Sequence, residues 1–108
     1  MQIAATYGSK LQLTVNNADN QVQVFLNGEQ VFDRATEGDP TFNDVVDLSG
    51  QLLKGRNVVL VVGVNWGGPF HAKWELALNG NVVAHADDYR AATQNGIVNH
   101  WAFILNVS

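Results

Sequence analysis

The clearest pattern along the chain is an alternation of apolar and polar positions with a period of two. Residues 11–16 (LQLTVN) alternate in this way, and residues 22–26 (VQVFL) repeat the pattern. A period of two is typical of a strand with one buried face, whereas the helical period of 3.6 is almost absent. These segments therefore predict two half-buried strands.

The dipeptide Asn-Gly occurs three times, at residues 27–28, 79–80 and 95–96. Strand-like segments lie on both sides of the first two copies. Asn-Gly is the preferred pair for a two-residue hairpin turn, because both turn positions require a positive φ. Two hairpins are therefore predicted, at residues 27–28 and 79–80.

Two further segments indicate a core with more than one layer. Residues 56–65 (RNVVLVVGVN) are nearly all apolar or β-branched without alternation, which predicts a central strand covered on both faces. The final run, residues 97–107, has one uniformly apolar face that assigns Trp101 to the core. About nine short strands, spaced by roughly 8–12 residues, predict an all-β fold, an antiparallel β-sandwich, with at most one helical turn at residues 48–54. The positions expected to be buried are Val59, Leu60, Val62, Val64, Trp74, Leu76, Phe103 and Leu105.

Three consecutive segments carry a resemblance to a known family. Residues 22–31 (VQVFLNGEQV), 42–48 (FNDVVDL) and 53–65 (LKGRNVVLVVGVN) resemble the galactose-binding-like jelly-roll domains, such as the sugar-binding domains attached to β-galactosidases and related glycoside hydrolases. The resemblance covers roughly residues 20–84. It implies a jelly-roll β-sandwich and a lectin-like module that recognises a saccharide through loops at one end of the sandwich.

Length and charge narrow the classes of function. The 108 residues correspond to a single domain, 1–108, and the formal net charge of −4 leaves no basic face for nucleic acid. The longest apolar run, residues 58–64, is far shorter than the ~20 residues needed to cross a bilayer, and residues 1–10 lack the apolar core of a signal peptide. A soluble domain without membrane insertion is therefore expected. The absence of cysteine excludes disulfides and thiolate metal sites, so the compartment stays unknown.

The strongest candidate site is the loop after the central strand, residues 65–71 (NWGGPFH). Two glycines and a proline give it a sharply turned backbone, and exposed aromatic side chains on a loop are costly unless they pack or bind. One hypothesis is a saccharide platform, in which Trp66 and Phe70 stack on a sugar ring while Asn65 and His71 bind its hydroxyls. The alternative is that both aromatic residues plug the open end of the sandwich.

The polar stretch that begins at Asp87 supplies a second candidate. The resemblance implies ligand contacts from Arg, His and aromatic side chains on end loops, and Arg90 and His100 are the residues of this stretch that fit. No cofactor is predicted, although structural calcium is a weaker hypothesis because loop carboxylates suit a hard cation. The acidic candidates for that site are Asp39, Asp44, Asp87 and Asp88.

Nothing in the sequence selects a catalytic group. No Ser lies in a Gly-x-Ser-x-Gly context, the three His lack the spacing of metal ligands, and no pair of carboxylates is singled out for glycoside hydrolysis. We therefore expect a protein that is not an enzyme.

The first hairpin carries the alternative function, a structural β-sandwich that assembles into a homo-oligomer without binding sugar. In a two-residue hairpin, Phe25 lies diagonal to Phe32 on one face, which creates an apolar patch suited to a second subunit. A β-bulge that turns one Phe inward would remove that patch.

Overall fold

The computed structural model describes every residue from Met1 to Ser108. It contains eight strands and one short 3-10 helix, Ser49–Gln51. The strands are β1 (Gln2–Ala5), β2 (Leu11–Leu26), β3 (Glu29–Thr36), β4 (Asp44–Asp47), β5 (Gly55–Asn65), β6 (Phe70–Leu78), β7 (Asn81–Arg90) and β8 (Gly96–Val107). The all-β prediction is confirmed, and no helix is long or apolar enough to span a bilayer.

The strands form one sheet in the order β1-β8-β5-β2-β6-β7, with β3 and β4 also paired to β2. Six of the seven strand pairings are antiparallel, as predicted, whereas β1 pairs with β8 in parallel. The sheet is therefore mixed, and it is a single curled half-barrel rather than two separate layers.

The long central strand β2 differs from the sequence prediction. Residues 11–16 and 22–26, predicted as two strands, belong to one strand of 16 residues. Its first half pairs with β4 and β6, and its second half pairs with β3 and β5. The largely polar middle of the strand, residues 16–20, contains no glycine or proline that would end it, and it lies where the strand changes partners.

Three connections meet the middle of β2 at the same level. Strand β3 ends opposite Asp19, and β4 begins opposite Val15. The last residue of β5 that pairs with β2 lies opposite Gln21. The first residue of β6 that pairs with β2 lies opposite Asp19. Because β7 and β8 run beside β6 and β5, their connection lies at this level too. These three irregular connections are thereby gathered in one place.

The connection from β4 to β5 requires β2 to bend. At one end Leu48 N donates to Leu11 O, and at the other Asn57 Oδ1 accepts from both Asn27 Nδ2 and Leu53 N. The chain from Leu48 to Leu53 reaches at most ~17 Å, whereas a straight 16-residue strand would span ~50 Å. That length would also exceed the 43 Å long axis of the molecule. The strand therefore bends, and the sheet curls with it.

The curl brings β6 against β8, although two strands lie between them in the sheet. Trp74 packs edge to face against both Trp101 and Phe103, with ring centroids 5.5 Å apart in each pair. The predicted core is largely confirmed, since Leu60 and Val64 alone remain partly exposed. The other predicted positions are buried: Val59, Val62, Trp74, Leu76, Phe103 and Leu105.

The first hairpin has the predicted turn but not the predicted register throughout. Asn27 and Gly28 both have positive φ, as a two-residue Asn-Gly turn requires. A bulge between Val24 and Phe25 then shifts β3 by one residue, so that Phe32 lies opposite Val24. Since Val24 is fully buried, Phe32 is turned to the core side and packs there. The prediction of an apolar patch shared by Phe25 and Phe32 is therefore wrong. The structure instead contains the β-bulge that was the alternative.

Candidate functional site

A cleft of about 450 Å³ opens where the connections gather around the bend of β2. Its walls come from β2, from the connection between β3 and β4, from the connection between β5 and β6, and from the end of β7. The lining residues are Asp19, Asn20, Glu37, Gly38, Asp39, Trp66, Gly67, Pro69 and Tyr89.

Buried amides in the bend hold two of these connections in place. Asn20 Oδ1 accepts hydrogen bonds from the backbone N–H of Trp66 at 2.8 Å and of Gly67 at 3.1 Å. On the other side, Asn17 Nδ2 donates to Asp39 Oδ1 at 2.9 Å. A buried amide that lacked these partners would cost free energy, so the bend and the connections stabilise each other.

Two aromatic side chains of the cleft are open to solvent. Trp66 is 45% exposed and Tyr89 is 57% exposed, although both are large and apolar. Trp66 lies on a backbone fixed by Asn20, and Tyr89 packs against the His71 ring in a T-shaped arrangement at a centroid distance of 5.5 Å. The cleft therefore offers two aromatic surfaces on ordered supports.

His71 joins two carboxylates beside the cleft. Its Nδ1 lies 2.8 Å from Asp39 Oδ2, and its Nε2 lies 2.6 Å from Asp87 Oδ1. Burial disfavours the imidazolium, but the hydrogen bonds and negative charges of the two aspartates outweigh it, so the pKa of His71 is raised above its ordinary value of 6.5. Protonated His71 donates hydrogen bonds to both carboxylates. It thereby attaches the β3–β4 connection, which contains Asp39, to strands β6 and β7.

The floor of the cleft is acidic. Asp19 is only 5% exposed, and its Oδ1 accepts a hydrogen bond from Asn20 Nδ2 at 2.9 Å. Burial and the nearby charge of Asp39 raise the pKa of the Asp19 carboxyl, although the backbone N–H of Asp39 acts in the opposite direction. Glu37 adds a third carboxylate at the rim.

The residues predicted on the 65–71 loop separate into two groups. Trp66 lines the cleft and His71 orients its wall, whereas Asn65 and Phe70 are buried. Asn65 Nδ2 donates to Gly68 O, which shapes the loop from inside. Phe70 is completely buried against Gly63, where even a Cβ would lie 2.6 Å from the ring. Phe70 is thus a core residue and offers no surface to a ligand. Of the two aromatic residues, only Trp66 can contact one.

The residues predicted on the second stretch lie outside the cleft. Arg90 is paired with Asp88 at 3.0 Å, and Asn99 donates to the same carboxylate. This pairing lowers the pKa of Asp88 despite its partial burial. His100 is exposed on β8 opposite Val62 and does not line the cleft. The structure therefore does not bring Arg90 and His100 together with Trp66.

The four acidic residues considered for calcium are distributed among three different partners. Asp44 pairs with Arg34 at 2.6 Å, Asp88 with Arg90, and both Asp39 and Asp87 with His71. No group of three or more His, Cys, Asp or Glu side chains is arranged to hold a metal ion.

Sequence reasoning did not identify Asp19, Asn20, Glu37 or Tyr89 as site residues. The signal available for the first two was the largely polar segment 16–20 (NNADN), which interrupts an apolar alternation without any glycine or proline. Such a run, continuous with strands on both sides, indicates polar side chains that must find partners inside the fold. Glu37 had no comparable signal, and Tyr89 lies in the polar stretch that begins at Asp87 but was not selected from it; pairing distant in sequence brings both residues to the cleft.

No family model, curated protein or solved structure matches this chain.

The raised pKa of His71 predicts that stability falls as pH rises. The protonated ring contributes its full stabilisation below its ordinary value of 6.5, and this is lost as pH increases through the raised folded-state pKa. Urea unfolding of the unmodified protein should therefore give a smaller free energy of unfolding at about pH 9 than at about pH 6.

The His71→Gln variant should show much less of this decline, whereas a His85→Gln variant, altered at an exposed histidine, should retain it. An unchanged decline in His71→Gln would show that the two aspartates do not hold the imidazolium.

Proposed function

We propose that this protein is a non-catalytic saccharide-binding module and that the cleft at the bend of β2 is its binding site. The observation that carries the proposal is the exposed indole of Trp66, held on a backbone that Asn20 fixes, above a polar floor. An apolar ring next to hydrogen-bonding groups matches the two chemical faces of a pyranose.

The cleft has the size and groups for one or two sugar rings. Its volume of about 450 Å³ falls within the usual range of small-ligand sites. The C–H face of a pyranose would stack on Trp66, while carboxylate oxygens of Asp39 and Glu37 accept hydrogen bonds from its hydroxyls. Preordering of the Trp66 backbone lowers the entropic cost of binding.

The proposal includes a relationship to the galactose-binding-like jelly-roll domains. It is supported by the resemblance of residues 20–84, which include Trp66, and by the packing of β6 against β8 as facing parts of one curled sheet. We assign no catalytic step to the cleft, because Asp39 and Asp87 are both engaged by His71 and serve to orient its wall.

Replacing Trp66 with Ala should weaken saccharide binding by about tenfold, because the stacking surface is lost. The melting temperature should change little, since the side chain is half exposed and lies outside the core. Glycan-array screening would identify a binding saccharide, and titration calorimetry would measure the affinity.

A Tyr7→Ala variant provides the matched control, because Tyr7 is 66% exposed and lies away from the cleft. Its affinity should equal that of the unmodified protein. The assignment fails if Trp66→Ala binds as tightly as Tyr7→Ala, or if no saccharide binds the unmodified protein.

A second candidate function, assembly into a homo-oligomer without sugar binding, is favoured by the outward face of β2, β5 and β8. Phe25, Leu60 and Ala102 are register partners across these strands. Their chain neighbours Val24, Val59 and Phe103 point into the core, so the row of three faces outward. Sheet faces of this composition suit contact with a second copy of the chain.

Light scattering distinguishes this second function. The unmodified protein should then have a mass that is a multiple of 11.8 kDa, and Phe25→Ser combined with Leu60→Ser should reduce it with the far-ultraviolet spectrum retained. Phe32 is left unaltered, because it packs against the core. A monomeric mass for the unmodified protein at high concentration would eliminate the assembly function.

A further inference from the structure

The cleft contains negative charge without a matching cation. Asp19, Glu37 and Asp39 line it, whereas none of the six Lys and Arg residues does. The single basic group in contact is His71, which is shared between Asp39 and a carboxylate outside the cleft, Asp87. A net negative charge therefore remains in the cleft.

Asp19 is the residue at which this imbalance is greatest. Asp19 is only 5% exposed and lines the cleft, and its Oδ1 accepts a hydrogen bond from Asn20 Nδ2. The backbone N–H of Asp39 also stabilises this carboxylate, but no Lys or Arg side chain pairs with it. Burying a carboxylate without a countercharge is costly, and a bound cation would relieve that cost.

The two exposed rings reinforce the preference for a cation. Trp66 and Tyr89 line the same cleft as the carboxylates. The electron-rich face of an indole or phenol attracts an ammonium group, and the attraction adds to that of the nearby negative charges. Stacking of a sugar ring and attraction of a cation are therefore available within one cleft.

We propose that the saccharide bound in this cleft is an amino sugar, with its protonated amine directed to Asp19 and Glu37 and its ring stacked on Trp66. This inference rests on the proposed function and narrows its ligand class. A neutral sugar would leave the charge of the floor uncompensated, whereas a primary ammonium supplies both the positive charge and three hydrogen-bond donors.

The test compares two ligands with the same sugar backbone, one with free amines and one in which every amine is acetylated and uncharged. Calorimetry on the full chain would use the trimer of β-1,4-linked glucosamine and its fully N-acetylated counterpart. The amine trimer should bind about tenfold more tightly at low salt, and this advantage should shrink as sodium chloride is added.

Three other outcomes overturn the inference and are distinguishable. Equal affinity for the two trimers would overturn it while leaving saccharide binding in place. Binding of neither trimer, together with a silent glycan array, would overturn both proposals. Binding of spermidine as tightly as of the amine trimer would show that the cleft recognises amines without the sugar ring.

Charge-removing variants locate the contact. Asp19→Asn preserves the shape and the Oδ1 acceptor, and should reduce affinity for the amine trimer by about tenfold. Glu37→Gln, at the exposed rim, should reduce it by about threefold and remains informative if the Asp19 variant fails to fold.

The matched control is Glu29→Gln, which removes the same charge from the exposed first hairpin outside the cleft. It should leave the affinity for the amine trimer unchanged. If Glu29→Gln and Glu37→Gln have equal effects, the overall charge of the protein controls binding and the proposed contact is wrong.

Discussion

The structure depends on the burial of polar side chains in the middle of its longest strand. Asn17, Asp19 and Asn20 are all nearly inaccessible to solvent at the bend of β2. Amides and carboxylates removed from water must be given hydrogen-bond partners, and the partners here come from the connections on either side of the strand. The bend and the loops around it therefore form only together.

This coupling gives the cleft its properties. The backbone at Trp66 is ordered because Asn20 accepts its N–H, and Asp39 is positioned because Asn17 and His71 both bind its carboxylate. The same requirement that folds the sheet thus places an aromatic ring over an acidic floor. Saccharide binding is proposed from the ring, and the preference for an amine is proposed from the charge of the floor.

The features predicted correctly from sequence are those that local patterns determine. Alternation identified the paired segments of β2, Asn-Gly identified the turn at residues 27–28, and the apolar run identified β5. Pairings between distant segments were not predictable in this way. The bulge beside Val24 and the approach of Asp19 to Glu37 both depend on register, which composition and spacing do not specify.

The most direct test of the central role of Asn20 is amide hydrogen exchange at Trp66 and Gly67, followed by nuclear magnetic resonance. Both residues lie in a solvent-facing connection, where amides without partners exchange at the rate of a free peptide. If Asn20 Oδ1 accepts both N–H groups, as the structure shows, the two amides should be protected by about a hundredfold or more. Exchange of both amides at the free-peptide rate would contradict the account.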